Sequence, residues 1–442
     1  MRRAAFACIM AAASSAAIAQ SYKRTDTGII VTPASGPAVE LQSYGNGIIR
    51  VTQAGPITVA APPSLMVRAK PVSDGFTVSE TPGTVTLSTV GAFADVNLAT
   101  GTVRFRNAAG QAVLEQSGSP SFKPVTAEGA PWLTISQQFN RGTDEGFYGL
   151  GQHQFGQMNY NGEDVELAQH NMDVAIPFVV STRNYGLLWD NNSVTRFGDP
   201  EPYTYAGAAE DGLQVNGGEG WTATYTVKGK TIAKRQEPTI QLQYLEDVNR
   251  WPAGTRKPDM QSTVDGLHVT WEGTVTPRTG GLHRFRLYGS SYFKVFVDGK
   301  ELLDRWRQNW NPWYHNFDVE FAAGTPHKIR VEWDPDSGYI ALLHNDPRPE
   351  PDRHSLTLTS DYARAIDYYF IPGSNMDDVI AGYRHLTGKS PVLPKWAYGF
   401  WQSRQRYETQ DQLLGVLREY RKRVLPLDNI VKHWQPHWSC GQ

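Results

Sequence analysis

From residue 22 to about 227 the chain alternates apolar and polar positions in short runs, broken by Gly, Pro, Asn and Asp. Clear examples are 48–52 (I-I-R-V-T), 84–88 (T-V-T-L-S) and 102–105 (T-V-R-F). A period of two sends one side of each strand into a core and the other into water, the signature of antiparallel sheet. No apolar stripe of helical period interrupts this region, so it predicts a large β-sandwich over 20–235. Near residue 236 a second alternating series begins: 240–244, 267–275, 280–287, 293–300 and 327–333. Within it, Asp298-Gly299 between two alternating runs signals a tight hairpin. This block, 236–350, is near the size of one domain and predicts a second sandwich. Proline at every second position over 347–351 reads as a stiff exit.

Strand texture like that of the first block then returns over 351–394. Residues 367–373 read as a strand ending in a turn, and 375–386 as a helix capped by Asn375. The first sandwich is therefore predicted to be interrupted by the second and resumed after it. The last stretch, 395–442, has a different grammar. Residues 396–401 form a nearly all-apolar run, predicted as a strand covered on both faces. Thr409 to Gln412 make a capping box, and Leu413, Val416, Leu417 and Tyr420 recur at helical spacing. Arg421, Lys422 and Arg423 place positive charge at that helix's C-terminus. Pro426 ends it, and 428–431 begin a second strand. The fold class predicted is mainly β: an interrupted sandwich with a sandwich insert, then one β-α-β unit of the kind repeated in a (β/α)8 barrel.

Charge and composition narrow the function classes. Forty-two Lys and Arg against 44 Asp and Glu leave a formal net charge of −2. Such a chain has no long-range field to collect phosphates, so nucleic acid is excluded as the expected partner. With 41 Gly, 28 Pro and only 19% charged residues, the composition agrees with many short strands and turns. Mean hydropathy is −0.44. Past the N-terminus, no apolar run approaches the roughly 20 residues of a membrane helix. At the N-terminus itself, Arg2 and Arg3 precede an apolar stretch over 4–18 and an A-I-A site at 17–19. This predicts a cleaved secretory signal over 1–19 and a bacterial periplasmic or secreted location. Cys8 falls inside that signal and Cys440 stands alone, which leaves no pair for a disulfide and no spacing for a zinc site or a Cys–His nucleophile.

Tryptophan is concentrated in two places. Trp306, Trp310 and Trp313, with Tyr314 beside them, surround Arg307, Gln308 and Asn309; four more lie at 396, 401, 434 and 438. Aromatic faces stack on sugar C–H faces while neighbouring amides and guanidinium groups bond hydroxyls, so 306–314 is a candidate sugar platform. The competing reading is that some of these rings fill the sandwich core. Trp271 and Trp333 sit at alternating strand positions and are expected inside. His433 and His437 have no third ligand at supporting spacing, so neither metal nor cofactor is expected.

Two sets of motifs carry family resemblances. W-E-G-T-V (271–275), G-L-H-R-F (281–285), F-K-V-F-V-D-G-K (293–300) and H-K-I-R-V-E-W (327–333), in that order, resemble the protective-antigen-type β-sandwich. That module is associated with carbohydrate recognition. F-Y-G-L-G-Q-H-Q (147–154), Asn171 and I-P-F-V-V-S-T-R-N-Y-G (176–186), followed far downstream by K-W-A-Y-G-F-W-Q-S-R (395–404), resemble glycoside hydrolase family 31, most closely its α-xylosidase branch. The resemblance implies a galactose-mutarotase-like N-terminal sandwich and retaining hydrolysis of an α-linked sugar. It also implies substrate contacts from Gln152 and His153 in the first motif, and from Trp401, His433 and Trp434 around the first barrel strands. Position 433 departs from the family, where V-x-D-W supplies an acidic contact. An imidazole cannot accept two hydroxyl hydrogen bonds as a carboxylate does, which leaves a neutral strand-end residue as the competing reading for His433.

Retaining chemistry needs two carboxyls roughly 5 Å apart, and both family aspartates are expected on barrel strands beyond residue 442. Residues 395–442 cannot hold a barrel of about 250 residues. The expectation is therefore the N-terminal part of an α-xylosidase acting on xyloglucan-type oligosaccharides, inactive as this chain alone. Two alternatives stay open: a non-catalytic carbohydrate-binding protein, or the non-functional product of a disrupted gene, suggested by the unusual ending and His433.

Overall fold

A computed structural model describes residues 21–55, 63–153, 157–170, 173–198, 203–244, 247–258, 262–348 and 354–432. The signal at 1–19 and positions His433, Trp434 and His437 lie outside the described residues. The chain forms two units, one up to Leu386 and one from Thr387 onward.

In the first unit, the N-terminal sandwich packs an eight-stranded sheet on a nine-stranded one. The eight strands lie in the order Ser21–Arg24, Gly28–Thr32, Val39–Ser43, Ile49–Ala54, Ala365–Pro372, Tyr185–Trp189, Val174–Ser181 and Phe147–Gln152. The nine-stranded sheet runs from Val165–Leu167 through Thr195–Phe197, Ser355–Ala363, Ala130–Asn140 and Ala112–Ala127 to the meander that ends at Phe76–Thr81. Both strands that follow the insert are interior strands. Ser355–Ala363 lies between Thr195–Phe197 and Ala130–Asn140, and Ala365–Pro372 lies between Ile49–Ala54 and Tyr185–Trp189. The sandwich is interrupted and resumed, and its centre depends on the late segment. Phe370 stacks on Phe105 at 4.2 Å and Tyr368 packs edge-on to Phe139 at 5.5 Å, joining the two sheets through buried rings. Each such ring contributes roughly 1.5–3 kcal/mol of burial.

The insert is a second two-sheet sandwich. One sheet carries Thr204–Tyr205, Gln241–Gln243, Gly281–Gly289, Trp313–Phe321 and Tyr339–Asn345. The other carries Leu213–Val215, Trp221–Val227, Lys230–Glu237, Leu267–Pro277, Ser291–Val297, Lys300–Arg307 and His327–Asp334. The expected boundary at 235/236 therefore needs correction, because the strands from Thr204 onward already pair within the insert. Trp221, Ala223 and Tyr225 are fully buried in its core. Alternation identifies a strand but not the sheet it joins, so the change of partner left no mark in the pattern. Trp271 and Trp333 are fully buried, as expected. Asp298 and Gly299 take φ of 48° and 83°, the double left-handed conformation of a tight hairpin.

Helix α1 (Met376–Thr387) starts where Asn375 Oδ1 accepts the Asp378 N–H at 2.9 Å. Its Val379 and Leu386 pack with Ile48, Phe178 and Ile371 on the outer face of the eight-stranded sheet.

In the second unit, Trp401–Ser403 pairs in parallel with Asn429–Val431, with helix α2 (Gln410–Lys422) between them. Thr409 Oγ1 accepts the Gln412 N–H at 3.1 Å, while Gln412 Oε1 accepts the N–H of Glu408, one residue further back than a standard capping box. The apolar run 396–401 is not a strand covered on both faces. Lys395–Tyr398 is a 3₁₀ turn, with Ala397 N–H bonded to Pro394 O and Gly399 N–H to Trp396 O. These bonds use locally the groups a strand would offer a neighbour. Trp396, Tyr398 and Trp401 are 51, 70 and 47% exposed. Among the described residues, no helix is long and apolar enough to cross a membrane.

One electrostatic feature of the N-terminal sandwich yields a pH prediction. Asp367 is clamped by Arg50, and Asp190 beside it has a buried Oδ2 with no hydrogen-bond partner. Burial pushes the Asp190 carboxyl up to about 6, and the Asp367 charge adds to the shift. Below the ordinary carboxylate range the folded and unfolded states are both protonated. As pH rises toward 6 the unfolded state ionises first, so Asp190 subtracts up to about 3 kcal/mol at neutral pH. Asp190→Asn is expected to raise the melting temperature at pH 7.5, with the gain shrinking toward pH 4. A gain independent of pH would contradict this assignment.

Candidate functional site

The segment joining Lys300–Arg307 to Trp313–Phe321 shapes a shallow cavity of about 280 Å³ on the insert. Its walls include Tyr292, Trp306, Gln308, Asn309, Trp310 and Asp336. Asn309 pins the segment: its Oδ1 accepts the Ser291 hydroxyl at 2.7 Å and its Nδ2 donates to the Asp336 carbonyl at 2.6 Å. Trp306 faces Tyr292 across the strand pair and is 61% exposed; Trp310 is 74% exposed. Exposed indole faces beside amides and carboxylates suit a ligand with apolar C–H faces and hydroxyl edges. Asp334, also in the wall, is held by His268 Nδ1 at 2.7 Å.

The four-ring platform predicted from sequence is split. Trp306 and Trp310 line the cavity, whereas Trp313 and Tyr314 belong to a different aromatic group. Trp313 is half-buried, edge-on to His170 of the N-terminal sandwich at 6.3 Å. Tyr314 packs on Tyr288 at 4.6 Å with the Arg286 guanidinium over its ring. Trp306 lies on a strand of one sheet and Trp313 and Tyr314 on a strand of the other, so the turn at 308–312 carries the chain between sheets and divides the two pairs.

Gln152 is the exposed last residue of Phe147–Gln152, and His153 follows it half-buried. His153 Nε2 bonds the Leu150 carbonyl at 2.8 Å, turning the ring back toward its own strand. The two glycines before them, Gly149 and Gly151, do not free a loop. A Cβ at Gly149 or Gly151 would lie 2.6 or 1.8 Å from a backbone carbonyl of Val174–Ser181, and both have positive φ. They permit close approach of two strands at a register shift.

In the second unit, Trp401 Nε1 donates to the Ala397 carbonyl at 3.2 Å and its ring lies 6.0 Å from Trp396. The carboxylates there have local duties. Asp428 Oδ2 accepts the Phe400 N–H at 2.9 Å, Glu419 pairs with Arg423 at 2.9 Å, Glu408 with Arg406 at 3.4 Å, and Asp411 lies in the first turn of α2. None forms a facing pair across a groove. Because the residues from Thr387 onward form their own unit, deleting everything after about 390 is expected to leave solubility unchanged or improved. Size-exclusion recovery at equal loading checks this, and a clear loss would contradict it.

Sequence reasoning missed two buried polar clusters in the insert. Glu237 accepts from Tyr225, Trp271 and Arg235, and His283, His344 and Asp211 form a hydrogen-bonded chain. The available signal was phase: positions 283, 285 and 287 share one strand face, so a histidine in line with Phe285 and Leu287 points inward.

Comparison with known proteins agrees with this architecture. Residues 38–197 match the glycosyl hydrolase 31 N-terminal galactose mutarotase-like domain, 219–348 the PA14 domain, and 390–440 the glycosyl hydrolases family 31 TIM-barrel domain. The crystal structure of a family 31 α-xylosidase from Xanthomonas citri is similar over 94% of this chain and 45% of its own, with 44% identity and a TM-score of 0.81. An α-xylosidase of Saccharolobus solfataricus is 51% identical over 87 residues, 20% of this chain and 12% of that protein. Alpha-glucosidase 2 of Bacillus thermoamyloliquefaciens is 42% identical over 79 residues, 17% of this chain and 10% of that protein. The chain thus spans less than half the length of each of these relatives. With family 31 domains on both sides of a PA14 sandwich, in the order that the topology requires, the chain belongs to glycoside hydrolase family 31.

Proposed function

We propose that this chain is the N-terminal, substrate-recognising part of a retaining α-glycosidase that releases α-linked xylose from xyloglucan-type oligosaccharides in the bacterial periplasm or outside the cell. The observation that carries this reading is the 44% identity and 0.81 TM-score to the Xanthomonas citri α-xylosidase across 94% of the chain. Retaining hydrolysis needs a nucleophilic carboxylate and an acid/base carboxyl roughly 5 Å apart, at the C-terminal ends of barrel strands. Glu408, Asp411, Glu419 and Asp428 are committed to local bonds or helix ends, so the catalytic pair is assigned to barrel strands beyond residue 442. The chain alone is expected to release no xylose. Joining it to the remaining barrel of a family 31 α-xylosidase is expected to restore release from xyloglucan oligosaccharides. Cleavage of α-glucosides alone would overturn the sugar assignment and leave the family intact; no hydrolysis of either substrate would overturn the reading.

The cavity bounded by Trp306 and Trp310 favours a second reading, carbohydrate binding without catalysis. Calorimetric titration of the chain with xylo- and gluco-oligosaccharides tests it, and the absence of heat at millimolar ligand would sink it.

A further inference from the structure

His283 and His344 are fully buried on adjacent strands of the insert, Gly281–Gly289 and Tyr339–Asn345. His283 Nε2 lies 3.0 Å from the Thr279 carbonyl and His344 Nδ1 lies 2.6 Å from Asp211 Oδ1. Both partners accept, so both outer nitrogens carry hydrogen. In two neutral rings the inner nitrogens, His283 Nδ1 and His344 Nε2, are then both lone pairs. Yet these two atoms are 2.8 Å apart, with the rings nearly coplanar at 17° and centroids 5.1 Å apart. Two lone pairs pointed at each other repel, so the outer bonds require a cation between the inner nitrogens.

A third donor atom is already in place. Asp346 Oδ1 lies 3.8 Å from His283 Nδ1, and the three candidate donor atoms are all within 4.8 Å of one another. The Asp346 carboxylate packs against Gly212, where a Cβ would fall 2.0 Å from its oxygens. We propose that His283 Nδ1, His344 Nε2 and an Asp346 oxygen bind one divalent metal ion of the zinc class at the base of the insert. Two neutral imidazoles with Asp211 and Asp346 carry two negative charges, which a divalent ion balances and a lone proton does not. The surroundings are those of a metal-binding histidine pair: a carboxylate orients one ring, a backbone carbonyl orients the other, and Asp211 is further fixed by Gly207 N–H at 2.7 Å.

An entry path exists because Asp346, 42% exposed, also lines a cleft of about 450 Å³ where the insert meets the N-terminal sandwich. A water from that cleft supplies the fourth ligand of a tetrahedral ion. Zinc–nitrogen bonds of about 2.0–2.1 Å set two ligating nitrogens roughly 3.4 Å apart, so binding displaces the shared proton and opens the contact by roughly half an ångström. The ion staples the two strands together.

The test uses the untagged full chain stripped with chelator. Cobalt(II) titration is expected to give visible d–d bands that saturate at one equivalent and are displaced by Zn²⁺, and Zn²⁺ is expected to raise the melting temperature. Asp346→Asn removes the acidic ligand, and Gly212→Ala displaces it while both histidines stay. Each is expected to weaken metal affinity roughly tenfold or more, with a circular dichroism spectrum like that of the unmodified chain. Absence of saturable bands, or bands unchanged in both variants as binding by other histidines would give, overturns the proposal. Imidazole ¹⁵N resonances of His283 and His344 that stay unmoved under saturating Zn²⁺ assign the pair to a shared proton and overturn it equally.

Discussion

Glu237→Ala is expected to destabilise the insert by roughly 2–6 kcal/mol, the cost of leaving two buried donors unpaired at about 1–3 kcal/mol each. Glu237 is 4% exposed, and its carboxylate accepts from Tyr225 Oη at 2.8 Å, Trp271 Nε1 at 2.7 Å and Arg235 Nε at 2.7 Å. Tyr225 and Trp271 are themselves fully buried, so alanine leaves two donors with no route to water and a guanidinium without its counter-charge. Arg235 is partly exposed and recovers some hydration; the indole and phenol do not. Burial, reinforced by the Glu237 charge, raises the Tyr225 hydroxyl well above the ordinary tyrosine range, so this group cannot ionise to relieve the loss. Urea unfolding followed by tryptophan emission measures the cost, because Trp221, Trp271 and Trp333 all report on this core. Glu237→Gln keeps one acceptor and the shape, and is expected to cost clearly less. Equal costs for the two variants would show that packing, rather than the carboxylate, dominates.

That cluster also marks the limit of what the pattern of residues conveys. Alternation located strands at 48–52, 84–88 and 102–105 and along the insert, because burying one face of a sheet constrains side chains at every second position. The Asp298-Gly299 turn and the caps at Asn375 and Thr409 were legible for a similar reason: each is a local hydrogen-bonding or φ requirement met within a few residues. Pairing is not local. Trp221–Val227 looks the same whether it joins the first sandwich or the insert, and only its register with Leu267–Pro277 distinguishes them. The same holds for polar residues inside the core. Glu237 meets Trp271 and His283 meets His344 across 34 and 61 positions of chain, so neither contact leaves a spacing to read. The candidate platform was half legible. Clustered tryptophans pointed to the right segment, but the turn within it divides the rings between solvent and a packed aromatic group.

That division gives the prediction with the largest effect on ligand binding. Trp306→Ala and Trp310→Ala are each expected to weaken oligosaccharide binding by about 2 kcal/mol, roughly thirtyfold, as for an aromatic at the centre of a recognition site. Both rings are mostly in water, so stability should change by no more than about 0.5 kcal/mol. Trp313→Ala is expected to do the reverse. Its half-buried ring packs against His170 and Tyr314 and carries Arg307 over its face, so its loss should lower stability while leaving affinity nearly intact. Titration calorimetry and thermal unfolding on the same three proteins separate the two effects. If Trp313→Ala alone abolishes binding, the ligand lies at the junction with the N-terminal sandwich rather than on the exposed pair. The reason to expect otherwise is geometric: Asn309 is held by Ser291 and Asp336, so the turn carrying Trp310 is fixed before any sugar arrives. A ring presented on a pre-ordered turn loses little conformational freedom on binding, and most of its contact energy then appears as affinity.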